Sequence, residues 1–173
     1  NLDCKAIGNE GAIALARALT GNRSLTNLDL SFNCIDKEGA IALAGALKGN
    51  RSLKDFNITG NHIGNEGAIA LVDAFKDNIS LTNLNLNENN IGKDGAIALA
   101  VVLASILEKN HSLTSFDLGI NKIGEDGVIA LDLTLDDKFQ YKSLIDLIAN
   151  NDLEELSTPY IGDAPDLEAK DGS

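Results

Sequence analysis

Apolar side chains recur along this chain at fixed intervals. Aligned at Leu25, Leu53, Leu81 and Leu113, four segments open as LTNLDLSFNCI, LKDFNITGNHI, LTNLNLNENNI and LTSFDLGINKI. They continue into DKEGAIAL, GNEGAIAL, GKDGAIAL and GEDGVIAL. Counting each copy from its leading Leu, positions 1, 4 and 6 are apolar while positions 3 and 5 are polar. That alternation predicts a strand with one buried face. Further on, positions 16, 17, 19, 20 and 23 fall within an arc of about 160° at about 100° per residue, which predicts an amphipathic helix. In the copy starting at Leu25 these are Ala40, Ile41, Leu43, Ala44 and Leu47. Position 21 drifts through Arg17, Gly45, Asp73 and Val101, as a position facing water does.

The copies divide the chain. A partial repeat covers 1–24, and full repeats follow at 25–52, 53–80, 81–112 and 113–143. The first two full periods are 28 residues and the third is 32. Four extra residues make about one helical turn of about 3.6 residues, so the following strand keeps its register. A longer third helix, Asp94 to Lys109, is predicted. Segment 144–151 partly repeats the strand motif and reads as a degenerate strand closing the sheet, so that 1–151 forms one repeat domain. Residues 152–173 hold seven acids, one lysine and both prolines, the composition of a disordered acidic tail. The chain opens at Asn1 in mid-repeat, which raises the expectation of upstream repeats or a leader.

The pattern L-x-x-L-x-L-x-x-N-x-I, with a helix and a 28-residue period, resembles the ribonuclease-inhibitor-type leucine-rich repeat family. The resemblance spans residues 1–140. It implies an open right-handed α/β horseshoe, with parallel strands on the concave side and helices on the convex side. Elementary spacing agrees: paired strands sit about 4.8 Å apart, while packed helices need about 8–10 Å, so stacked strand–helix units must bend. Position 9 is Asn33, Asn61, Asn89 and Asn121. A buried amide satisfies backbone donors and acceptors in a turn without a ladder of its own. In the family that this chain resembles, such residues form an asparagine ladder.

Charge and composition narrow the function. The net charge is −12, which disfavours nucleic acid and anionic lipid, since both call for clustered Lys and Arg. No stretch reaches the roughly 18 apolar residues of a membrane span. Two cysteines cannot frame a disulfide scaffold, so a reducing compartment is expected, the cytoplasm of the producing cell or of a host cell. Cys34 and His62 share position 10 in adjacent repeats, yet no third ligand or orienting carboxylate accompanies them. The recurrent acids at position 14 (Glu38, Glu66, Asp94, Asp126) suit helix starts, and the glycines at positions 12 and 15 mark turns into helices. No nucleotide loop, hydrolase elbow or zinc motif occurs. The expectation is no enzyme, no cofactor and no metal.

The concave positions carry the binding hypothesis. They present Asn27, Asp29, Ser31 and Phe32; Lys54, Asp55 and Asn57; Asn83, Asn85, Asn87 and Glu88; and Ser115, Asp117 and Ile120. This surface is polar and mildly acidic, with Phe32 and Ile120 as its apolar anchors. It points to a non-catalytic module, a monomer, that presents the face to a protein partner, with a basic surface favoured by charge. A solvated face with no partner of its own is the competing reading. A further alternative is a repeat segment of a larger regulator, either a bacterial effector delivered to host cells or a GTPase-activating-protein-like factor. The Asn- and Ile-rich usage leans toward the effector.

Overall fold

A computed structural model describes residues 1–76, 78–107 and 112–135. Among them the chain alternates helix and strand: α1 (Gly8–Leu19), β1 (Asn27–Asp29), α2 (Lys37–Leu47), β2 (Asp55–Asn57) and α3 (Gly64–Ala74). It continues with β3 (Asn83–Asn85), α4 (Lys93–Leu107), β4 (Ser115–Asp117) and α5 (Gly124–Leu135). The strands form one parallel sheet in chain order, β1-β2-β3-β4. Helices α1 to α4 each return the chain to the sheet, so the described residues form an α/β solenoid with one strand and one helix in each full repeat. The closing strand at 144–151, the acidic tail and the end of repeat 113–143 lie outside the described residues.

Pairing follows the repeat register. Asn27 faces Asp55, Asp55 faces Asn83, and Asn83 faces Ser115. The long period is absorbed in α4, which has 15 residues where α2 and α3 have 11. Its predicted end at Lys109 falls beyond the described part.

The core is a stack of identical layers. Positions 11 and 19 are fully enclosed in the inner repeats: Ile35, Ile63, Ile91 and Ile123, then Leu43, Leu71, Leu99 and Leu131, each at 0% exposure. Their counterparts in the first repeat, Ile7 and Leu15, are only half-buried because no helix packs outside them. One helical position departs from expectation. Ile41 is 47% exposed, as Ile97 and Ile129 also are in part. The buried set of α2 is Gly39, Ala40, Leu43, Ala44 and Leu47. The contact arc therefore begins one residue earlier than predicted and leaves position 17 beyond its edge.

That shift has a cause in the glycine at position 15. A Cβ built on Gly67 would stand 3.0 Å from the Cβ of Ala40 on the preceding helix and 2.9 Å from that of Ile63. Missing side chains there let neighbouring helices approach closely, which draws positions 15 and 16 into the interface.

Two series of asparagines supply polar partners where the ladder stops. On the strand-exit side, the amide oxygen of Asn61 accepts from the backbone N–H of Asn33 (3.1 Å) and Ile35 (2.9 Å). Its nitrogen donates to the carbonyls of Leu30, Ile58 and Thr59. Asn121 serves Asn89 and Ile91 likewise, and Asn33 serves Lys5 and Ile7. Asn89 donates to the carbonyls of Ile58, Leu86 and Asn87. On the helix-exit side, Asn22, Asn50 and Asn78 accept from N–H groups two and three residues on. Asn50 and Asn78 also donate to the carbonyl of the previous asparagine in that series.

Truncating Asn61 to Ala leaves several buried backbone groups unpaired at about 1–3 kcal/mol each, so a loss of about 3 kcal/mol or more is expected. Exposed Ser115→Ala should change stability by less than about 0.5 kcal/mol. Glycine substitutions should split in sign. Gly67→Ala is expected to lose about 1–3 kcal/mol by overpacking, whereas Gly45→Ala, with nothing within 4 Å of the added carbon, should gain about 0.5–1 kcal/mol. Urea denaturation followed by circular dichroism measures all four.

Candidate functional site

The sheet face turned away from the helices is built from four rows, each crossing the strands at one repeat position. Parallel pairing in register places equal positions side by side, so each row is a line of neighbouring side chains.

Position 3 contributes Asn27, Asp55, Asn83 and Ser115, all solvent-facing except the half-buried Asp55. Asp55 is the hub: one carboxylate oxygen accepts from the Asn27 amide at 2.5 Å and the other from the Asn83 amide. Three strands are thus tied through one charged group, and Lys54 stands exposed beside it at position 2.

Position 5 behaves differently. Asp29, Asn57, Asn85 and Asp117 each accept, through the side-chain oxygen, the backbone N–H two residues on, at 3.0–3.1 Å. This is an Asx turn, which bends the chain out of the strand. The sequence carried the signal, since only Asp or Asn occupies this position, but read as a concave row it passed for recognition chemistry. These four residues are half-buried, and part of their acceptor capacity is committed to the fold.

At position 7 the expectation needs correcting. Ser31, expected on the binding face, is 5% exposed. Its hydroxyl, with one proton to donate, lies within hydrogen-bond distance of both Asp29 (2.6 Å) and Asp3 (2.9 Å). The strands end at position 5, and two residues later the chain has already turned inward. Thr59 reaches Asn57 and Asn85 in the same way, and Asn87 donates to Asp117 at 2.8 Å.

Position 8 forms the rim: Phe32, Gly60, Glu88 and Ile120. Phe32 is 49% exposed and Ile120 59%, and Glu88 is exposed. The ladder asparagines Asn33, Asn61, Asn89 and Asn121 lie just behind and are buried, occupied by backbone groups except at the Asn89 side-chain oxygen, which has no hydrogen-bond partner among the described residues.

The pair Cys34 and His62 makes no mutual bond. The His62 ring meets Asn90 at 3.1 Å, and Cys34 is an exposed free thiol. Cys4 has its pKa raised, first by the hydrogen bond with Asp3 and then by desolvation. It therefore remains a thiol rather than the thiolate that nucleophilic chemistry needs. Among the described residues no three His, Cys, Asp or Glu side chains converge as a metal site, and no helix is long and apolar enough to cross a membrane.

Beyond the rim, Asp36 caps α2 by accepting the Glu38 backbone N–H at 3.0 Å. Its pKa is held below the ordinary carboxylate value, first by the hydrogen bond with the Glu38 side chain, with Asn9 and the N–H groups of Glu38 and Gly39 adding to it. Lys37 is raised by Glu66, 3.0 Å away on the next repeat.

Comparison with known proteins agrees with the architecture. A leucine rich repeat family model matches residues 21–44, 49–72, 77–100 and 109–131. Among solved structures, the chain is similar to leiomodin-1 Actin-Binding Site 2, at 25% identity and a TM-score of 0.66. That match covers 80% of this chain and 78% of the other. The tropomodulin C-terminal domain of Caenorhabditis elegans is similar at 18% identity and a TM-score of 0.61, over 73% and 77% of the two chains. At that identity the second likeness shows the fold alone. No curated protein sequence matches.

The depressed Asp36 pKa fixes a sign for pH dependence. A carboxylate with a lower pKa when folded stabilises the fold above its unfolded pKa of about 3.9, and that contribution disappears as pH falls through the folded value. Wild type should therefore exceed Asp36→Asn in urea midpoint at pH 7, with the gap closing toward pH 2. A gap independent of pH would assign the stabilisation to the neutral cap geometry instead.

Proposed function

Because the chain belongs to the leucine-rich repeat family, we propose that it is a protein-interaction module whose open sheet face binds a protein partner with a complementary basic surface, without chemistry of its own. The observation that carries this reading is the Asp55 hub with Asn27 and Asn83 bonded to its two oxygens. A carboxylate held between two amides on neighbouring strands loses little side-chain freedom when a partner docks, which lowers the entropic cost of binding. Asp29, Asp55, Glu88 and Asp117 outnumber Lys54 on this face, so its field favours approach by cationic surfaces.

The similar leiomodin-1 domain is named for actin binding, which makes actin the first partner to test. Substitution belongs at position 3, because position 5 holds the turns. The variant Asn27→Arg/Asp55→Arg/Asn83→Arg should retain its far-ultraviolet circular dichroism. Its affinity for actin, or for a purified partner recovered by affinity capture with the full chain, should fall by at least about tenfold, equivalent to about 1.4 kcal/mol. Unchanged affinity would remove this face as the binding site.

A further inference from the structure

A helix in the outer layer of a solenoid turns one stripe to the core and another to solvent, and the solvent stripe is normally polar. Here the outward line of each helix runs through positions 13, 17 and 21, one turn apart. Position 17 is Ile in every repeat: Ile13, Ile41, Ile69, Ile97 and Ile129. Position 21 interrupts the line with Arg17, Gly45 and Asp73, then extends it with Val101 and Leu133. From Gly95 to Leu107, α4 has no charged residue, and Ser105 is its one polar side chain. Ile97 is 38% exposed, Val101 69%, Ile129 49% and Leu133 78%.

These four side chains form one block. α4 and α5 lie side by side in equal register, since Lys93 Nζ meets Asp126 at 3.2 Å and a Cβ on Gly127 would stand 2.8 Å from that of Ala96. Ala104, exposed one turn beyond Val101, continues the block on α4. Apolar side chains exposed together in this way mark an interaction site, whereas single ones need no explanation. The charges around the block select its occupant. Asp73 on α3 borders it on one side. On the other, position 20, buried as Ala44, Val72 and Ala100 in earlier repeats, becomes the exposed Asp132. Asp94, Glu125 and Asp126 stand exposed at the helix starts. These acids outnumber the nearby Lys76 and Lys93, and Lys93 is already paired with Asp126. A second copy of the chain would set acid against acid around the contact, which disfavours it, whereas a cationic partner meets attraction.

We propose that the furrow between α4 and α5 docks a basic amphipathic helix of a protein partner. Apolar residues of that helix at i, i+3 or i+4, and i+7 sit on Ile97, Val101, Ile129 and Leu133, while Lys or Arg at its edges face Asp73 and Asp132. Residues i to i+7 span about 10 Å at about 1.5 Å per residue, and Ile97 to Ala104 covers the same rise on α4. This surface belongs to the helical layer, on the opposite side from the open sheet face, and stands independently of the reading given for that face.

The test titrates the full chain into a fluorescein-labelled peptide, Lys-Leu-Ala-Lys-Leu-Leu-Lys-Lys-Leu-Ala-Lys-Leu-Leu-Lys, at physiological ionic strength, followed by fluorescence anisotropy. Saturable binding is expected. It should weaken at least about tenfold for a permuted peptide of equal composition whose leucines surround the helix, and for a peptide with Glu at every Lys. Val101→Gln/Leu133→Gln should weaken it by at least about tenfold as well. That variant should keep its melting temperature, because both side chains are exposed and Gln suits a helix. Asp73→Lys/Asp132→Lys should narrow the preference for the Lys peptide over the Glu peptide by at least about tenfold. The Asn27→Arg/Asp55→Arg/Asn83→Arg variant should bind as wild type does, which separates this surface from the open face. Absence of saturable binding by wild type, undiminished binding by Val101→Gln/Leu133→Gln, or binding lost in the open-face variant overturns the proposal. Dimerisation in sedimentation velocity that Val101→Gln/Leu133→Gln abolishes would seat a second copy on the block and also overturn it. A lower melting temperature for that variant, with no peptide bound by wild type, would mean that the chain covers the block itself, and overturns it too.

Discussion

Each time this chain leaves the sheet it must enclose a few residues of backbone that have no ladder partner. A buried N–H or carbonyl left unpaired costs on the order of 1–3 kcal/mol, and each repeat would accumulate several. An amide at position 9 meets most of this demand, because only Asn or Gln offers a double acceptor and a double donor on one planar group, although at Asn89 only the nitrogen is used. Asn61 shows the consequence, spanning its own strand end and the previous one with five bonds. Asparagine is also short enough to hold the turn tightly, so the layers stack at a constant height. The second series at the helix exits, Asn22, Asn50 and Asn78, applies the same solution at the opposite edge. Between the two lines of amides the aliphatic core needs only to repeat.

The second constraint is distance between layers. Strands prefer about 4.8 Å and helices about 8–10 Å, so the helical side limits the stack. Gly67 against Ala40, and Gly127 against Ala96 at 2.8 Å from its virtual Cβ, show how the chain reduces that mismatch by removing side chains at the contact. The longer α4 is tolerated because the added turn lengthens the helix by about one pitch and leaves the pairing of β3 with β4 intact.

Much of this was legible in the sequence because the repeat compares the chain with itself. Positions that never vary in character, such as Ile35, Ile63, Ile91 and Ile123, had to be core, and all four are enclosed. The misreadings came where one pattern had two physical explanations. Ile41 fits an apolar helical stripe, but the stripe is set by the neighbour's packing, and the close glycine contact rotated it. Ser31 fits strand alternation, but the strand stops at Asp29, and alternation means nothing past a turn. The position 5 residues were visible as an invariant Asp-or-Asn row. Their turn-forming role depends on an i to i+2 geometry that a row-by-row reading of the surface does not consider. The helix-exit asparagines recur as Asn22, Asn50 and Asn78, but Asn is ordinary chemistry for a turn, so its presence there does not by itself reveal a ladder between repeats.

Fold and recognition compete for the same polar atoms on the open face. Where the backbone needs an acceptor, as at position 5, chemistry is restricted to Asp and Asn, and partner choice can alter the residue only at the expense of the turn. Where the backbone is already paired and merely left-handed, as at position 8, the fold sets a mild preference for glycine and no chemical demand. The residues found there, Phe32, Glu88 and Ile120, follow no common type, in contrast to the uniformity of positions 5 and 9. Variation at an exposed position with a constant backbone means that the fold does not specify the side chain there. The register that satisfies the buried amides holds the backbone of equal positions in neighbouring repeats at multiples of about 4.8 Å.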